Sequence, residues 1–293
     1  MAKVSFKEAV KVWIRVAIYS FGGPAGQIAV MHKILVEEKK WIDESRFLHA
    51  LNYCMLLPGP EAQQLATYIG WLLHKTKGGL VAGLLFILPG FISILILSIL
   101  YAAYRDVGMV EAIFYGIKPA VLVIVIGAVI KIGKRVLKNG ATVSIAILAF
   151  IAIFFFDIDF PVIIIIAGLI GFLGGKIWKE GFHVMDRKEE GSNDGVIDNS
   201  LEVESPSIFR TIKTAVIFLI LWSLPLIVIA SLVGIENIFF SEGLFFSKTA
   251  VVTFGGAYAV LAYIAQKAVE DYGWLRSGEM LDGLGMAENT PGP

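Results

Sequence analysis

Phe21-Gly22-Gly23, then Trp41, then Pro58-Gly59-Pro60 returns near the other end of the chain as Phe254-Gly255-Gly256, Trp274 and Pro291-Gly292-Pro293, every position displaced by the same 233 residues (254 against 21, 274 against 41, 291 against 58). Twelve of the forty positions from Phe21 to Pro60 are identical in the second copy, with no gap. A gapless repeat marks a duplicated structural unit. Its fixed points are glycines and prolines set in apolar surroundings. Such residues end helices, so the repeat predicts paired interrupted membrane helices, the way many secondary transporters build their sites.

Composition agrees. Apolar residues make up 57% of the chain, charged residues 17%, and the mean hydropathy is +0.75, all beyond the range of an ordinary soluble domain. The formal net charge of zero hides a segregation. Apolar runs carry almost no charge, while short loops collect Lys and Arg, and no basic surface for nucleic acid is present. The single cysteine, Cys54, allows no disulfide framework and no Cys/His metal site, and is read as core packing. His32, His49, His74 and His183 are scattered without metal-ligand spacing. No nucleophile–base constellation is visible, so neither an enzyme nor a cofactor is expected.

Stretches of about 20 apolar residues, enough to cross a hydrocarbon core near 30 Å, fall at 79–104, 110–130, 160–178 and 211–234, with a shorter run at 141–156 ending at Asp157 and Asp159. Three further segments are interrupted: 8–31 by Gly22-Gly23-Pro24, 46–73 by Pro58-Gly59-Pro60, and 246–269 by Gly255-Gly256. Broken helices in a membrane are tolerated only where protein or a watery cavity satisfies the freed backbone groups. The fold class is therefore an all-α polytopic membrane protein with broken transmembrane helices.

The positive-inside rule places the N-terminus in the cytoplasm with Lys3, Lys7 and Lys11, followed on the same side by His74 to Lys77, Lys131 to Lys138 and residues 179–210. The opposite loops are poor in Lys. The segment 32–46 mixes both signs and decides nothing. Seven crossings then separate the two copies, which makes the repeat an inverted-topology one. Residues 1–179 form a first half and 208–293 the start of a second. Between them, 180–207 is an acidic, weakly apolar cytoplasmic linker. Trp41 and Trp274 are expected as interfacial anchors.

The motifs resemble those of the chromate ion transporters. The residues that carry the likeness are Phe21-Gly22-Gly23-Pro24, Trp41, the run Leu57-Pro58-Gly59-Pro60-Glu61-Ala62-Gln63-Gln64-Leu65-Ala66-Thr67-Tyr68-Ile69-Gly70, Phe86-Ile87-Leu88-Pro89-Gly90-Phe91, and in the second copy Thr253-Phe254-Gly255-Gly256 and Thr290-Pro291-Gly292-Pro293. The resemblance implies a plasma (inner) membrane exporter of a bacterium or archaeon that removes chromate from the cytoplasm in exchange for protons, with two antiparallel halves. Members of the two-half type continue past the second Pro-Gly-Pro, so the second half is expected to be incomplete here. Another oxyanion such as sulfate, carried or conducted, and an inactive truncated subunit stand as alternatives. Oligomeric state is not legible.

An oxyanion entering a membrane loses water, which oriented donors and positive charge replace. The first amides of a half-helix supply both. In Pro58-Gly59-Pro60, Pro60 suits a first helical position, Gly59 lets backbone approach a ligand, and Gln63, Gln64 and Thr67 follow as polar groups on the next turn or two. Gly22, Gly23 and Gln27 repeat the logic in the first break, and Gly255 and Gly256 in the second copy. Lys118, deep in an apolar run, is read as positive charge on the anion path, as a partner of Glu61 or as a side chain snorkelling to an interface. Arg15 is read as an oxyanion chelator or an edge anchor beside Lys11. Glu61 is the candidate proton-coupling carboxylate, repelling the anion when ionised and releasing that repulsion when protonated.

Overall fold

The computed structural model describes residues 4–104, 139–156, 158–177, 207–254 and 257–292, with scattered positions between 107 and 137. Lys118, Gly255, Gly256 and the linker up to residue 206 lie outside the described residues. Among those described, the secondary structure is helical, with one isolated antiparallel bridge, Pro58 to Phe254.

Helix α1 (Phe6–Tyr19) starts at Ser5, whose hydroxyl accepts from the Glu8 amide at 3.2 Å. Its buried residues Ala9, Val12, Trp13, Val16 and Ala17 follow helical spacing and form one stripe. Helix α2 (Gly23–His32) runs into a widened turn, Lys33–Glu38. Helix α3 (Glu44–Leu56) is capped by Asp43, which accepts from the Arg46 amide at 2.8 Å. Helix α4 (Glu61–Tyr104) follows directly on Pro58-Gly59-Pro60. The stripe of α1 closes with Met31, Leu35, Phe47, Leu65, Ile69 and Phe86 into one apolar core. Trp41, expected at an interface, is 3% exposed and belongs to that core.

The expected loop at 74–77 is a sharp bend inside α4. His74 and Lys75 leave helical geometry (φ −138°, ψ 28° and φ 54°, ψ −145°) and divide α4 into arms 61–73 and 76–104. Gly70 faces Gly78 and Ala82, and Thr67 faces Gly79 and Gly83, so the arms run antiparallel with backbones in near contact. A methyl on Gly78 would lie 2.1 Å from the Gly70 carbonyl oxygen, a clash with backbone that no rotamer relieves. Gly78→Ala is expected to cost about 3 kcal/mol, read as a lowered thermal midpoint in detergent. Gly168→Ala, where nothing lies within 4 Å, should leave that midpoint unchanged.

Helices α5 (Gly140–Phe156), α6 (Phe160–Ile177) and α7 (Ile208–Val233) are apolar on every face, and large side chains such as Phe154, Ile165, Phe172 and Leu232 are exposed. A helix that is apolar all round and unburied fits lipid as its solvent. Among the described residues, two helices, α4 and α7, are long and apolar enough to cross a membrane, and α5 and α6 are apolar but shorter. The α1 segment has 14 residues, which at 1.5 Å per residue gives only about 21 Å. Ordered helix therefore stops short of a full crossing before each Gly-rich stretch.

The second copy repeats the succession at the same displacement: α8 (Ile238–Val252), α9 (Ala257–Gln266), a widened turn at Lys267–Asp271, and α10 (Ser277–Glu288). Backbone detail repeats too. The Trp41 amide donates to the Leu35 carbonyl and the Trp274 amide to the Ala268 carbonyl, both at 2.8 Å. Lys40 and Gly273 both have positive φ, at 52° and 61°. The left-handed conformation is served once by glycine and once by lysine, so the turn is set by the surrounding unit rather than by the local residue.

Candidate functional site

Two chain breaks of the first copy meet two of the second. The Gly59 amide donates to the Thr253 carbonyl at 2.7 Å, and the Gly292 amide donates to the Ser20 carbonyl at 2.9 Å. Gly59 and Gly292 are repeat equivalents, as are Ser20 and Thr253, so each copy gives the other the same bond that it receives. Both glycines need left-handed backbone, at φ 111° and 103°. Ser20 and Thr253 also match in their side chains: each hydroxyl donates to a carbonyl one turn back, Val16 at 2.6 Å and Thr249 at 2.7 Å.

Around this crossing lie most of the residues singled out by sequence. Gly22, at φ 82°, is the N-cap of α2 and supplies no side-chain cap, and Gly23 and Pro24 form the first turn. Gly26 packs so closely on the Phe21 carbonyl that a methyl there would lie 2.3 Å from its oxygen. Gln27 is 2% exposed and donates from Nε2 to the Gly292 carbonyl at 2.5 Å, tying the first break to the second Pro-Gly. On the other side, Pro58 bridges to Phe254, and Pro60 leads into α4. Gln64 donates to the Pro58 carbonyl at 2.7 Å, Gln63 to the Gly83 carbonyl at 2.9 Å, and the Thr67 hydroxyl to the Gln63 carbonyl at 2.9 Å. Glu61 is buried at 5% exposure in the first turn of α4, where the helix dipole favours a carboxylate.

The carboxamides were expected to offer donors to an anion. Their NH₂ groups are instead taken up by backbone carbonyls. What remains are the Oε1 oxygens of Gln27, Gln63 and Gln64, buried and, among the described residues, without a hydrogen-bond partner. The first turns of α2 and α4 hold the backbone amides that have no carbonyl partner within their own helix.

Arg15 sits elsewhere. Its guanidinium is held by both oxygens of Glu38, at 2.7 and 3.3 Å, on an exposed edge beside the Lys39–Glu8 pair. That pairing favours the anchor reading over the chelator one. His32 bridges Glu37 at 3.2 Å and also contacts Glu44. Lys267 joins Asp159 at 2.8 Å to Asp271 at 2.6 Å, fastening the α5–α6 loop to the second copy's widened turn.

Sequence reading passed over Ser20, Gly83 and Gly90. A methyl on Gly90 would lie 2.3 Å from the Pro291 carbonyl oxygen, so α4 receives the second Pro-Gly in direct backbone contact. Gly90 stands beside Pro89 in the Phe86–Phe91 motif, and Ser20 aligns with Thr253, so both carry a signal in the sequence. Only the crossing of the two copies gives them meaning. Among the described residues, no group of three or more His, Cys, Asp or Glu is placed to hold a metal ion.

Comparison with known proteins gives a consistent result. The family described as chromate transporter matches residues 7–172 and 240–293. The chain is 30% identical to the chromate transport protein of Pseudomonas aeruginosa over 99% of its own length and 64% of that protein's. It is 25% identical to the chromate transport protein of Cupriavidus metallidurans, covering 99% of this chain and 65% of the relative. An uncharacterized transporter of Methanocaldococcus jannaschii is 25% identical over 96% of this chain and 65% of its own. The chain thus spans just under two thirds of the length of these relatives. No solved structure matches the chain.

Proposed function

The chain belongs to the chromate transporter family, and on that premise we propose that it carries chromate across the plasma membrane, outward and in exchange for protons, between two units of inverted topology. The observation that carries the reading is the exchanged pair of bonds, Gly59 to Thr253 and Gly292 to Ser20. A contact that each copy makes and receives identically is what a two-fold relation between them requires. With seven crossings between the copies and a cytoplasmic N-terminus, that two-fold axis lies in the membrane plane.

The anion then sits where the first turns of α2 and α4 open, with Gly22, Gly23, Pro58, Gly59 and Pro60 shaping the backbone. Gly255 and Gly256 contribute from the second copy and Lys118 supplies positive charge. Binding replaces lost hydration by fixed dipoles. Glu61, in the first turn of α4, carries the exchanged proton. Proton and anion occupy the site in turn: Glu61 takes up its proton from the outer face once the anion has left and gives it up to the cytoplasm before the next anion binds.

The test is transport of radiolabelled chromate in membrane vesicles under an imposed pH gradient, with sulfate as competitor. Uphill chromate movement that collapses with the gradient supports proton exchange, whereas flux that never runs uphill points to a channel. Glu61→Gln should reduce gradient-driven accumulation at least tenfold, equivalent to about 1.4 kcal/mol of lost coupling, and leave chromate-for-chromate exchange. If proton-coupled export survives the substitution intact, Glu61 is not the coupling group.

A further inference from the structure

Among the described residues, three carboxamide oxygens in this site are acceptors without a donor. Gln27 is the sharpest case: it is 2% exposed, its NH₂ is committed to the Gly292 carbonyl at 2.5 Å, and its Oε1 is buried and unpartnered. Gln63 and Gln64 repeat the arrangement, each with NH₂ committed to a carbonyl and Oε1 unpartnered. The orientation of each amide is fixed by its neighbour, because turning it over would set two carbonyl oxygens face to face. A buried acceptor left unmatched costs about 1–3 kcal/mol, so three in one region call for a ligand that brings a donor.

They share that region. Gly83, which receives Gln63, and Gly90, which receives Pro291 and Gly292, are seven residues apart on α4 with Phe86 between them, two turns along one face and about 10 Å apart. Gln64 lies at the opening of the same helix. The site therefore pairs backbone donors at the helix starts with side-chain acceptors beside them.

A fully ionised tetrahedral oxyanion has oxygens that only accept. It suits the helix starts and is repelled by the carboxamide oxygens. A monoprotonated oxyanion suits both: its bare oxygens accept from backbone amides, and its single hydroxyl donates to a carboxamide oxygen. We infer that the transported species is the monoprotonated, singly charged oxyanion, with Gln27 Oε1 as the acceptor of its hydroxyl. The inference rests on the oxyanion reading given above and adds the protonation state, and with it a basis for selectivity. Chromate takes up one proton near neutral pH, whereas sulfate and selenate stay doubly charged until strong acid.

The measurement is equilibrium binding of micromolar chromate to the purified protein across the neutral pH range, with sulfate and selenate titrated in parallel. Among the described residues, the buried titratable groups on α2, α3, α4 and α10 are Glu61, Cys54 and Asp282, the last accepting from Tyr101 Oη at 2.9 Å. A protein group would act on all three anions alike. The expected result is chromate affinity that falls about tenfold per pH unit above the anion's own protonation midpoint, following the protonated fraction, with sulfate and selenate weak and insensitive to pH. Gln27→Leu should remove most of the preference for chromate over sulfate. Equal affinity for the three anions, or one pH profile common to all, overturns the inference and leaves oxyanion transport standing. Absence of binding by any of them at any pH overturns the transport reading itself, and this inference with it.

Discussion

Gly90→Ala is expected to abolish chromate accumulation in vesicles, a loss of at least a hundredfold, while the helices themselves remain. The added methyl would lie 2.3 Å from the Pro291 carbonyl oxygen and 3.5 Å from Gly292 Cα. Both are backbone atoms, so relief comes only from moving the whole second Pro-Gly away from α4. That movement strains two bonds at once, Gly292 amide to Ser20 carbonyl and Gln27 Nε2 to Gly292 carbonyl. Overpacking costs about 1–3 kcal/mol and each lost bond about 0.5–1.5 kcal/mol. The sum is enough to depopulate the arrangement in which the copies meet. Circular dichroism should stay near wild type, since Gly90 lies inside α4 and alanine is the better helix former. Wild-type accumulation in Gly90→Ala would mean that the contact between α4 and Pro291-Gly292 is not part of the transporting state.

Much of the architecture was open to reading from the chain alone, for a physical reason. Helix-ending residues announce themselves locally, so Gly22-Gly23-Pro24 and Pro58-Gly59-Pro60 could be placed as breaks without knowing what they touch, and α2 and α4 do begin at Gly23 and Glu61. Apolar runs likewise announce themselves locally, which is why the segments that became α5, α6 and α7 were found. The bend at His74-Lys75 was legible as a charged interruption, but not its tightness, which depends on Gly70, Gly78, Gly79 and Gly83 meeting across it.

The misreadings share a cause. Trp41 reads as an interfacial anchor, yet its amide closes on the Leu35 carbonyl of the widened turn and its side chain lies in the core. The glutamines were assigned to donate because an isolated carboxamide can do either. Which end remains available is decided by Gly83, Pro58 and Gly292, the last of them 265 positions from Gln27. Pairing partners at that separation leave no local mark. The repeat itself was the strongest long-range signal, because two copies with the same breaks constrain each other, and Ser20 with Thr253 is where that constraint takes structural form.

The second large effect is expected from the two equivalent glycines. Alanine at Gly59 or Gly292 must hold φ near 111° or 103°, a region that costs a residue with a Cβ about 1–3 kcal/mol, and each position also anchors one of the two exchanged bonds. Gly59→Ala and Gly292→Ala should therefore each reduce chromate accumulation tenfold or more and lower the thermal midpoint in detergent by similar amounts. Gly292→Ala should be the more severe, because Gln27 and Gly90 also bear on that loop, whereas the nearest atom to a methyl on Gly59 is the end of the Gln64 side chain at 3.0 Å, which yields more cheaply than backbone. The double substitution is the sharper measurement. If both bonds close one interface, the first loss already opens it and the second adds little, so the combined destabilisation should fall short of the two single values together by at least about 0.5 kcal/mol. Strict additivity, or a neutral Gly59→Ala beside a damaging Gly292→Ala, would show that the copies are held together by something other than their exchanged backbone bonds. The two-fold relation on which the transport reading depends would then lose its support.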